Sequence, residues 1–460
     1  MGVKTSKRPF QIAIIGGGIA GLSTALFLHH FCPPGSIEIN IYEQAEQYRE
    51  IGAGINLGVN ATKLLHQIGL GDEINAIAGS KDGVFFTLRR WDNSEEITTI
   101  YSNDSGKIRQ AAVSRAEFLQ VLLDAIKSRN AATLHTKKKC ESVTNLKSAI
   151  KINFTDSTTT TCSLLLAADG IHSPLRQTYL PHTPPIYSGK IVYRGLLPFS
   201  SLPSPWPVQS HSAMWIGPNK HLLTYPISQG ASQTLNFVGC VTAPESALGD
   251  LKESWSATCP RAELERDFED SDEIVQQLIR LLPDEVSKWK INDREPAGRW
   301  VFEQGRVVLV GDAAHPMVPH QSAGGGQAVE DGFVVGRCVA SFVESKGQKG
   351  GKGIGGLEEW MGLYEKVRMP RANKVQETSR GAGYLYQMQA GNMEGKSYDE
   401  CVPILRETVQ ERMKWIWEEE LEGVLEKERE RMMGAMGEGG IKGKGGLGGC
   451  FCMCLRSVYD

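Results

Sequence analysis

The sequence GGGIAG at residues 16–21 restricts the possible folds of this chain more than any other feature. A short β-branched run at residues 11–16 leads into it, a segment with helical spacing follows at Ile19–Phe31, and a second strand-like run comes next at Ile37–Tyr42. This order predicts a strand–helix–strand unit. Because such crossovers are almost always right-handed and join parallel strands, we expect the unit to belong to a parallel sheet.

Three glycines of this motif each have a separate physical role. Gly16 permits a tight turn, Gly18 lets the backbone approach a pyrophosphate, and Gly21 lets the helix pack closely on the strand. The helix N-terminus favours the negative charge of the phosphates. Glu43 follows the second strand, where its carboxylate can accept hydrogen bonds from ribose hydroxyls. These residues predict a dinucleotide site; the alternative is a glycine-rich turn beside an unrelated surface glutamate.

Two further segments, DGIHSPLR at 169–176 and GDAAHP at 311–316, also follow apolar strand-like runs. The Asp312 carboxylate, at the end of its strand, can hold a sugar-like polyol. Downstream, Gly324–Gly326 precede a predicted helix at 327–338, whose first N–H groups suit an electron-rich ring edge. Each segment alone is explained by turn chemistry, since Asp-Gly is a common turn pair. Their occurrence together favours a nucleotide site.

The glycine motif with Glu43, the Asp-Gly-x-x-Ser-x-x-Arg segment and the Gly-Asp-Ala-Ala-His-Pro segment resemble the three fingerprints of single-component FAD-dependent aromatic monooxygenases. The chain is most similar to the salicylate hydroxylase-like branch and its fungal biosynthetic relatives. The resemblance runs from about residue 10 to residue 385 and does not cover the tail. It implies an α/β fold: a Rossmann-like FAD-binding parallel sheet with an inserted antiparallel-sheet substrate domain, as in para-hydroxybenzoate hydroxylase.

Changes in amino-acid composition and hydrophobic pattern along the chain predict the domain organisation. Residues 9–180 and 290–340 form a discontinuous FAD-binding domain, and 181–289, rich in prolines, aromatics and alternating strands, form the substrate domain. A C-terminal helical region follows at 341–432. The last segment, 433–460, is rich in glycine and cysteine and is predicted to be a flexible tail, because its composition cannot build a core.

The resemblance also implies how the cofactors are held. FAD would be tightly and non-covalently bound, with Glu43 at the adenosine ribose, Arg115 against the flavin or its pyrophosphate, and Asp312 at the ribityl chain. The segment from Asp169 to Arg176 would serve both FAD and NAD(P)H. No second G-x-G-x-x-G unit is present in the sequence, which fits a family in which NAD(P)H binds only transiently. The backbone of four further positions would line the isoalloxazine ring: Ala53, Gly54, Gly324 and Gly325.

Two residues of the predicted substrate domain are candidates for catalysis. The resemblance implies that reduced FAD reacts with O2 to give a flavin C4a-hydroperoxide, which attacks an electron-rich ring carbon. A phenol is far more nucleophilic as its phenolate, so the site needs a group that stabilises the anion or removes the proton. We expect Arg194 and Tyr225 to supply a cation and a hydroxyl. The alternatives are a surface ion pair for Arg194 and a core aromatic for Tyr225. His315 and His320 are weaker candidates.

The main functional hypothesis is hydroxylation of a phenolic or salicylate-like substrate with NAD(P)H and O2. Biosynthetic dearomatisation or epoxidation is a close alternative, because it uses the same flavin chemistry. A flavin oxidase or disulfide reductase is disfavoured, since neither a Cys-x-x-Cys near the glycine motif nor a second nucleotide unit is present in the sequence. A non-catalytic FAD-fold escort protein is a distant alternative, because it has no need of the segments around Asp169 and Asp312.

Charge and cysteine content restrict the partners and the compartment. A net charge of -3 gives no footprint for nucleic acid, and ten scattered cysteines favour a reducing, cytoplasmic compartment. The uncharged run at 12–28 mimics a membrane anchor, but its glycines are explained by nucleotide binding. The first six residues match a weak N-myristoylation pattern, and membrane association is not expected. No metal site is expected, and the oligomeric state is undetermined.

Overall fold

The computed structural model describes residues 8–48, 54–79, 83–102, 104–230, 233–249, 251, 257–347 and 355–439. The sequence predictions for Ala53, for the N-terminal hexapeptide and for residues 440–460 lie outside these ranges.

The chain alternates strands and helices up to about residue 340 and is helical after that. The strands are β1 (Phe10–Ile15), β2 (Ile37–Tyr42), β3 (Gly54–Leu57), β4 (Val84–Arg90), β5 (Glu96–Tyr101), β6 (Ala111–Ser114), β7 (Thr133–His135), β8 (Cys140–Asn145), β9 (Ile150–Phe154), β10 (Thr159–Cys162), β11 (Leu164–Ala167), β12 (Ile186–Pro198), β13 (Ala213–Gly217), β14 (Lys220–Ile227), β15 (Thr234–Thr242), β16 (Thr258–Pro260), β17 (Glu285–Asp293), β18 (Val301–Phe302) and β19 (Val307–Leu309). The helices are α1 (Ile19–Phe31), α2 (Val59–Gln67), α3 (Gly71–Ile77), α4 (Arg115–Arg129), α5 (Pro174–Tyr179), α6 (Arg261–Asp267), α7 (Glu273–Arg280), α8 (Gly324–Gly347), α9 (Leu357–Leu385), α10 (Tyr398–Arg412), α11 (Lys414–Glu418) and α12 (Leu421–Gly439).

The first sheet has the strand order β18-β19-β11-β1-β2-β7, and all of its pairs are parallel except β18 with β19. The central strand β1 is apolar and buried from Ile12 to Ile15, as expected for a strand covered on both faces. Helix α1 crosses from β1 to β2 and packs along α8. The predicted strand–helix–strand unit, and with it the α/β fold class, is confirmed.

The second sheet has the order β16-β17-β12-β15-β14-β13-β4-β5 and is antiparallel except where β13 pairs with β4. Strands β4 and β5 come from the segment that the sequence analysis assigns to the first domain. Their pairing with β13 is a long-range contact that local patterns do not reveal. The predicted separate antiparallel sheet is confirmed, while the domain boundaries stay a prediction.

The C-terminal helices pack against both halves of the molecule. Helix α10 contacts β5, α11 contacts α2, and α12 packs on α9. Helix α12 extends to Gly439, past residue 433, where the tail is predicted to begin. Met432 and Met433 pack against the main hydrophobic core, and this packing favours continuation of the helix. Within the described ranges, none of the helices combines the length and hydropathy that a membrane crossing requires.

A buried ionic network joins α8 to α9. Arg371 makes a bidentate pair with Glu330, both hydrogen bonds being 2.8 Å long, and Arg368 Nε donates to Asp331 Oδ1 over 2.9 Å. Arg368 also donates to Glu330 and to the side chain of Gln327. Burial would raise the pKa of both carboxyls, but the charged partners outweigh it, so the pKa of each lies below its usual value. Both acids are therefore held as carboxylates in the interior.

Replacing Arg368 by Met should strongly destabilise the protein. Glu330 and Asp331 would lose a charged partner, and breaking a buried ion network costs about 3–5 kcal/mol. The measurement is urea unfolding followed by circular dichroism. Arg337→Met is the matched control, because Arg337 lies on α8, the helix that carries Glu330 and Asp331, but forms partly exposed pairs, whose loss costs about 1 kcal/mol or less. Equal losses in the two variants would contradict this account.

Candidate active site

The glycine turn after β1 is closely packed on one side and open on the other. Gly16 has φ +105°, and a Cβ there would lie 2.2 Å from the carbonyl oxygen of Ala168. A Cβ on Gly21 would lie 2.1 Å from the carbonyl oxygen of Gly16, so only glycine lets α1 start this close to the strand. By contrast, among the described residues beyond its two chain neighbours, no atom lies within 4 Å of a Cβ placed on Gly18. The Gly18 backbone therefore faces free space at the N-terminus of α1.

Glu43 is held beside this turn. Its carboxylate accepts hydrogen bonds from the N–H of Gly17 over 2.8 Å and from the N–H of Ala45 over 2.7 Å. An ionised carboxylate has about four acceptor positions, so two are left for a ligand's hydroxyls. Glu43 is thus positioned at the end of β2 as the sequence pattern suggests.

Two aspartates face the same edge of the parallel sheet with acceptor capacity to spare. Asp312 lies on a 3-10 turn after β19, and its side chain is exposed although both neighbours, Gly311 and Ala313, are buried. Protein surrounds it closely enough that burial raises its pKa, which places it on the wall of an interior cleft. Neither carboxylate oxygen of Asp169 has a hydrogen-bond partner among the described residues. Burial raises the pKa of Asp169 to about 6.

Arg176, at the other end of the segment 169–176, makes hydrogen bonds that support the structure. Arg176 is completely buried and donates to the carbonyl oxygens of Ala313 over 3.2 Å, Ala314 over 2.8 Å and Glu295 over 2.9 Å. Ser173 caps α5 by accepting from the N–H of Arg176 over 2.8 Å. The arginine thus fixes the turn that carries Asp312. The resemblance implies that the whole segment binds nucleotides, whereas Arg176 at its end supports the turn that carries Asp312.

The three glycines at 324–326 are the first residues of α8 rather than its preceding loop. Helix α8 is longer at both ends than the predicted helix at 327–338, because glycines conceal the helix start in sequence and the buried network stabilises it. A Cβ on Gly325 would lie 2.5 Å from Cδ1 of Ile55, so the helix start packs directly on β3. The first N–H groups of a helix have no partner within it. Gly324 and Gly325 therefore present donors beside Gly54.

Arg115 connects the cofactor side to the second sheet. It begins α4 directly after Ser114, which pairs with Gly54 across β3 and β6. Burial raises the pKa of Asp312, and the positive charge of Arg115 acts in the opposite direction. Burial lowers the pKa of Arg194 to about 10, and the charge of Arg115 acts in the same direction. Arg115 therefore lies within electrostatic range of both residues.

Arg194 and Tyr225 lie on one face of the eight-stranded sheet. Arg194 pairs with Val238, Val238 pairs with Leu223, and Tyr225 is two residues further along the same strand as Leu223. Side chains two residues apart on a strand share a face. Burial raises the pKa of Tyr225 to about 12, and the charge of Arg194 acts in the opposite direction. The two candidates are thus neighbours, and their catalytic role stays a prediction.

On this face of the sheet, Tyr225 lies against β3 and Arg194 packs on Trp289. A Cβ on Gly54 would lie 2.8 Å from the Tyr225 hydroxyl oxygen, and the Arg194 guanidinium stacks 4.8 Å from the centre of the Trp289 ring. Asn236, opposite Tyr225, is buried, and its side chain approaches Gly54 beside the Tyr225 hydroxyl. Tyr225 therefore lies between the eight-stranded sheet and Gly54, one of the positions predicted to line the flavin ring.

Sequence reasoning missed three polar residues on this face: Asn236, His221 and Cys240. His221 and Tyr225 are four residues apart on one predicted strand and so share a face, and this spacing could have pointed to His221. His320 lies on the 3-10 turn Pro319–Gln321, with its ring centre 5.5 Å from that of His221. His315 is instead completely buried, with Nε2 2.6 Å from Asp331.

The residues at the parallel sheet fit an FAD molecule. Gly18 leaves space at a helix N-terminus, Glu43 and Asp169 have free acceptor positions for hydroxyl groups, and Asp312 is accessible in an interior cleft. The donors at the start of α8 suit the electron-rich edge of the ring.

Comparisons with known proteins agree with this geometry. A family model described as FAD binding domain matches residues 9–379. The chain is 29% identical to a salicylate hydroxylase of Pseudomonas putida over 466 residues, covering 96% of this chain and 100% of the relative. It is 31% identical over 428 residues to 6-methylsalicylate 1-monooxygenase atA of Aspergillus terreus, covering 90% of each chain.

A solved salicylate hydroxylase substrate complex superposes with a TM-score of 0.75 at 26% identity, covering 93% of this chain and 98% of that structure. The match therefore extends over both sheets, beyond the glycine motif alone. The chain belongs to the family of FAD-dependent aromatic monooxygenases.

Proposed function

We propose that this enzyme uses NAD(P)H and O2 to hydroxylate a phenolic or salicylate-like compound that binds between the eight-stranded sheet and the bound flavin. The observation that carries the proposal is the placement of Arg194 and Tyr225 on one sheet face, with the Tyr225 hydroxyl against Gly54. The relatives named salicylate hydroxylase and 6-methylsalicylate 1-monooxygenase support this substrate class.

In this proposal the parallel sheet holds FAD through four positions. The backbone at Gly18 binds the pyrophosphate, Glu43 the adenosine ribose and Asp312 the ribityl chain, while Arg115 neutralises negative charge near the flavin. When bound, FAD accepts electrons from NAD(P)H and uses them to activate O2. The protein supplies the orientation of ring and substrate and a cleft that excludes water.

On the opposite wall, Arg194 and Tyr225 control the charge of the substrate. Burial lowers the pKa of Arg194 to about 10, so the guanidinium remains charged at neutral pH and can hold a phenolate or carboxylate. Burial raises the pKa of Tyr225 to about 12, so its hydroxyl remains a hydrogen-bond donor. Together they favour the substrate anion, whose ring carbons are the better nucleophiles.

A cytoplasmic location is also proposed, in line with the sequence analysis. It is supported by the seven described cysteines, each of which is a buried thiol. Thiols of this kind persist in a reducing compartment.

Loss of either sheet residue should reduce turnover of a salicylate-type substrate. Hydrogen bonds to charged groups contribute about 1.5–3 kcal/mol, so we expect Tyr225→Phe to lower kcat/KM by roughly 10- to 100-fold and Arg194→Met by at least as much. The measurement is substrate-stimulated NADH or NADPH oxidation with product detection by mass spectrometry. An aromatic product heavier by one oxygen indicates hydroxylation, and a non-aromatic one indicates dearomatisation.

Tyr193→Phe is the control for these variants. Tyr193 is adjacent to Arg194 but on the opposite face, where its hydroxyl donates to Asp267 over 2.6 Å. We expect unchanged kcat/KM in this variant. A loss in Tyr193→Phe equal to that in Tyr225→Phe would place the substrate elsewhere.

Two glycine variants separate cofactor binding from folding. Gly18→Val adds a side chain where none of the described residues beyond its chain neighbours has an atom within 4 Å, so the apoprotein should keep its thermal stability while FAD affinity falls by on the order of 100-fold. Gly21→Val forces a clash with the Gly16 carbonyl and should lower the Tm of the apoprotein itself. FAD affinity is measured by flavin fluorescence titration. Full FAD affinity in a folded Gly18→Val protein would rule out this pyrophosphate site.

A further inference from the structure

Three metal-ligating side chains converge on the sheet face that carries Arg194. His221 on β14 and Cys240 on β15 are direct partners in the strand register, and His320 approaches them from the Pro319–Gln321 turn. The ligand atoms of the three residues all lie within 4.8 Å of one another. In the described part of the chain, this is the one cluster of histidine, cysteine or acidic residues with such a spacing.

Each member of the cluster has a potential ligand atom without a strong partner. His221 Nδ1 and His320 Nε2 are buried and have no hydrogen-bond partner among the described residues. The sulfur of Cys240 has only a weak donor, Gln387 Nε2, at 3.5 Å. Unpartnered polar atoms in a protein interior are uncommon and call for an explanation such as a bound ion or ligand.

The three side chains lie on elements that hold them in place. His221 and Cys240 belong to the interior of an eight-stranded sheet, and the His221 ring lies 5.9 Å from that of Tyr386. His320 packs against α9 where that helix has a glycine, since a Cβ on Gly383 would lie 2.5 Å from Cδ2 of the imidazole. The cluster is therefore built by the fold.

We propose that His221, Cys240 and His320 bind a thiophilic divalent ion, with Zn²⁺ as the reference metal. Zn²⁺ takes His nitrogen at about 2.0–2.1 Å and Cys sulfur at about 2.3 Å, so both kinds of ligand in the cluster are ones that it binds. Closing the cluster onto the ion requires side-chain movements on the order of 1 Å. The fourth coordination position stays open for water or for a group of the substrate.

The protonation states of the ligands determine what binding does. Metal ions bind a neutral imidazole and a thiolate. The ion must therefore displace the thiol proton, which passes to solvent, and the Cys–S–H bond is replaced by a sulfur–metal bond.

Lys190 sets an upper limit on the affinity. Its ammonium repels a cation at the cluster, although Gln387, Gln389 and Thr242 hold it by hydrogen bonds. The Cys240 thiolate formed on binding compensates one of the positive charges. We therefore expect an affinity in the micromolar range, weaker than that of a structural zinc site.

The position of the cluster gives it a consequence for catalysis. His221 is two residues from Leu223, which lies in the same row of the sheet as Arg194, so the rows are about 7 Å apart. A bound ion would occupy one end of the proposed aromatic pocket and compete with the substrate. This inhibitory role rests on the proposed function, whereas the binding site itself does not.

Calorimetric titration of the FAD-loaded, chelator-treated enzyme with ZnCl2 tests the site without using activity. We expect one ion per chain and release of about one proton, read from titrations in buffers of different ionisation enthalpy. Cys240→Ser and His320→Gln should each weaken binding by at least about 10-fold. Cys259→Ser is the matched control, because Cys259 is a buried thiol of β16 outside the cluster, and its binding should be unchanged.

Inhibition kinetics then test the location. Zn²⁺ should raise the KM for salicylate without lowering kcat, and Cys240→Ser should be about 10-fold less sensitive. Stoichiometric binding that is lost in Cys240→Ser and His320→Gln supports the site even if salicylate is not a substrate. Binding that is unchanged in both variants, or absent at millimolar Zn²⁺, would overturn the proposal.

Discussion

The geometry of the cofactor cleft depends on the hydrogen bonds that the Asp331 carboxylate makes. It accepts hydrogen bonds from the N–H of Gly311 over 2.8 Å and from Arg368 Nε over 2.9 Å, and lies 2.6 Å from His315 Nε2. One buried group thereby joins the turn that carries Asp312, helix α8 and helix α9. Because an unpaired buried charge is costly, these elements cannot shift independently. The spacing between Asp312 and the donors at the start of α8 follows from this constraint.

The register of the eight-stranded sheet is the second constraint, and it forms the opposite wall. One face packs on α6 and α7 through an apolar core that includes Tyr193 and Phe237. The other face carries Arg194, Tyr225 and His221 toward α9 and the turn before α8. A slip of one residue would exchange the two faces. The proposed substrate site therefore lies where the eight-stranded sheet faces β3.

The sequence alone predicted those elements whose defining residues lie close together in the chain. The helix α1 and strand β2 have the bounds that the glycine motif and the hydrophobic pattern predict, because turn, helix and strand lie within one short unit. Arg194 and Tyr225 could be proposed because their strands are recognisable. Contacts between distant segments were not predictable: the pairing of β4 with β13 and the approach of Cys240 to His320 depend on long-range register. The start of α8 was also misplaced, since glycine disfavours helices and only tertiary packing stabilises the helix there.

The most direct test of the central claim is the origin of the oxygen in the product. The FAD-loaded enzyme would be incubated with NADH or NADPH and a panel of hydroxybenzoates under ¹⁸O2, and the products analysed by mass spectrometry. We expect one ¹⁸O atom in the product for each NAD(P)H consumed, because one atom of O2 enters the ring and the other leaves as water. Oxidation of NAD(P)H that yields only hydrogen peroxide with every phenol, or product oxygen derived from water, would contradict it.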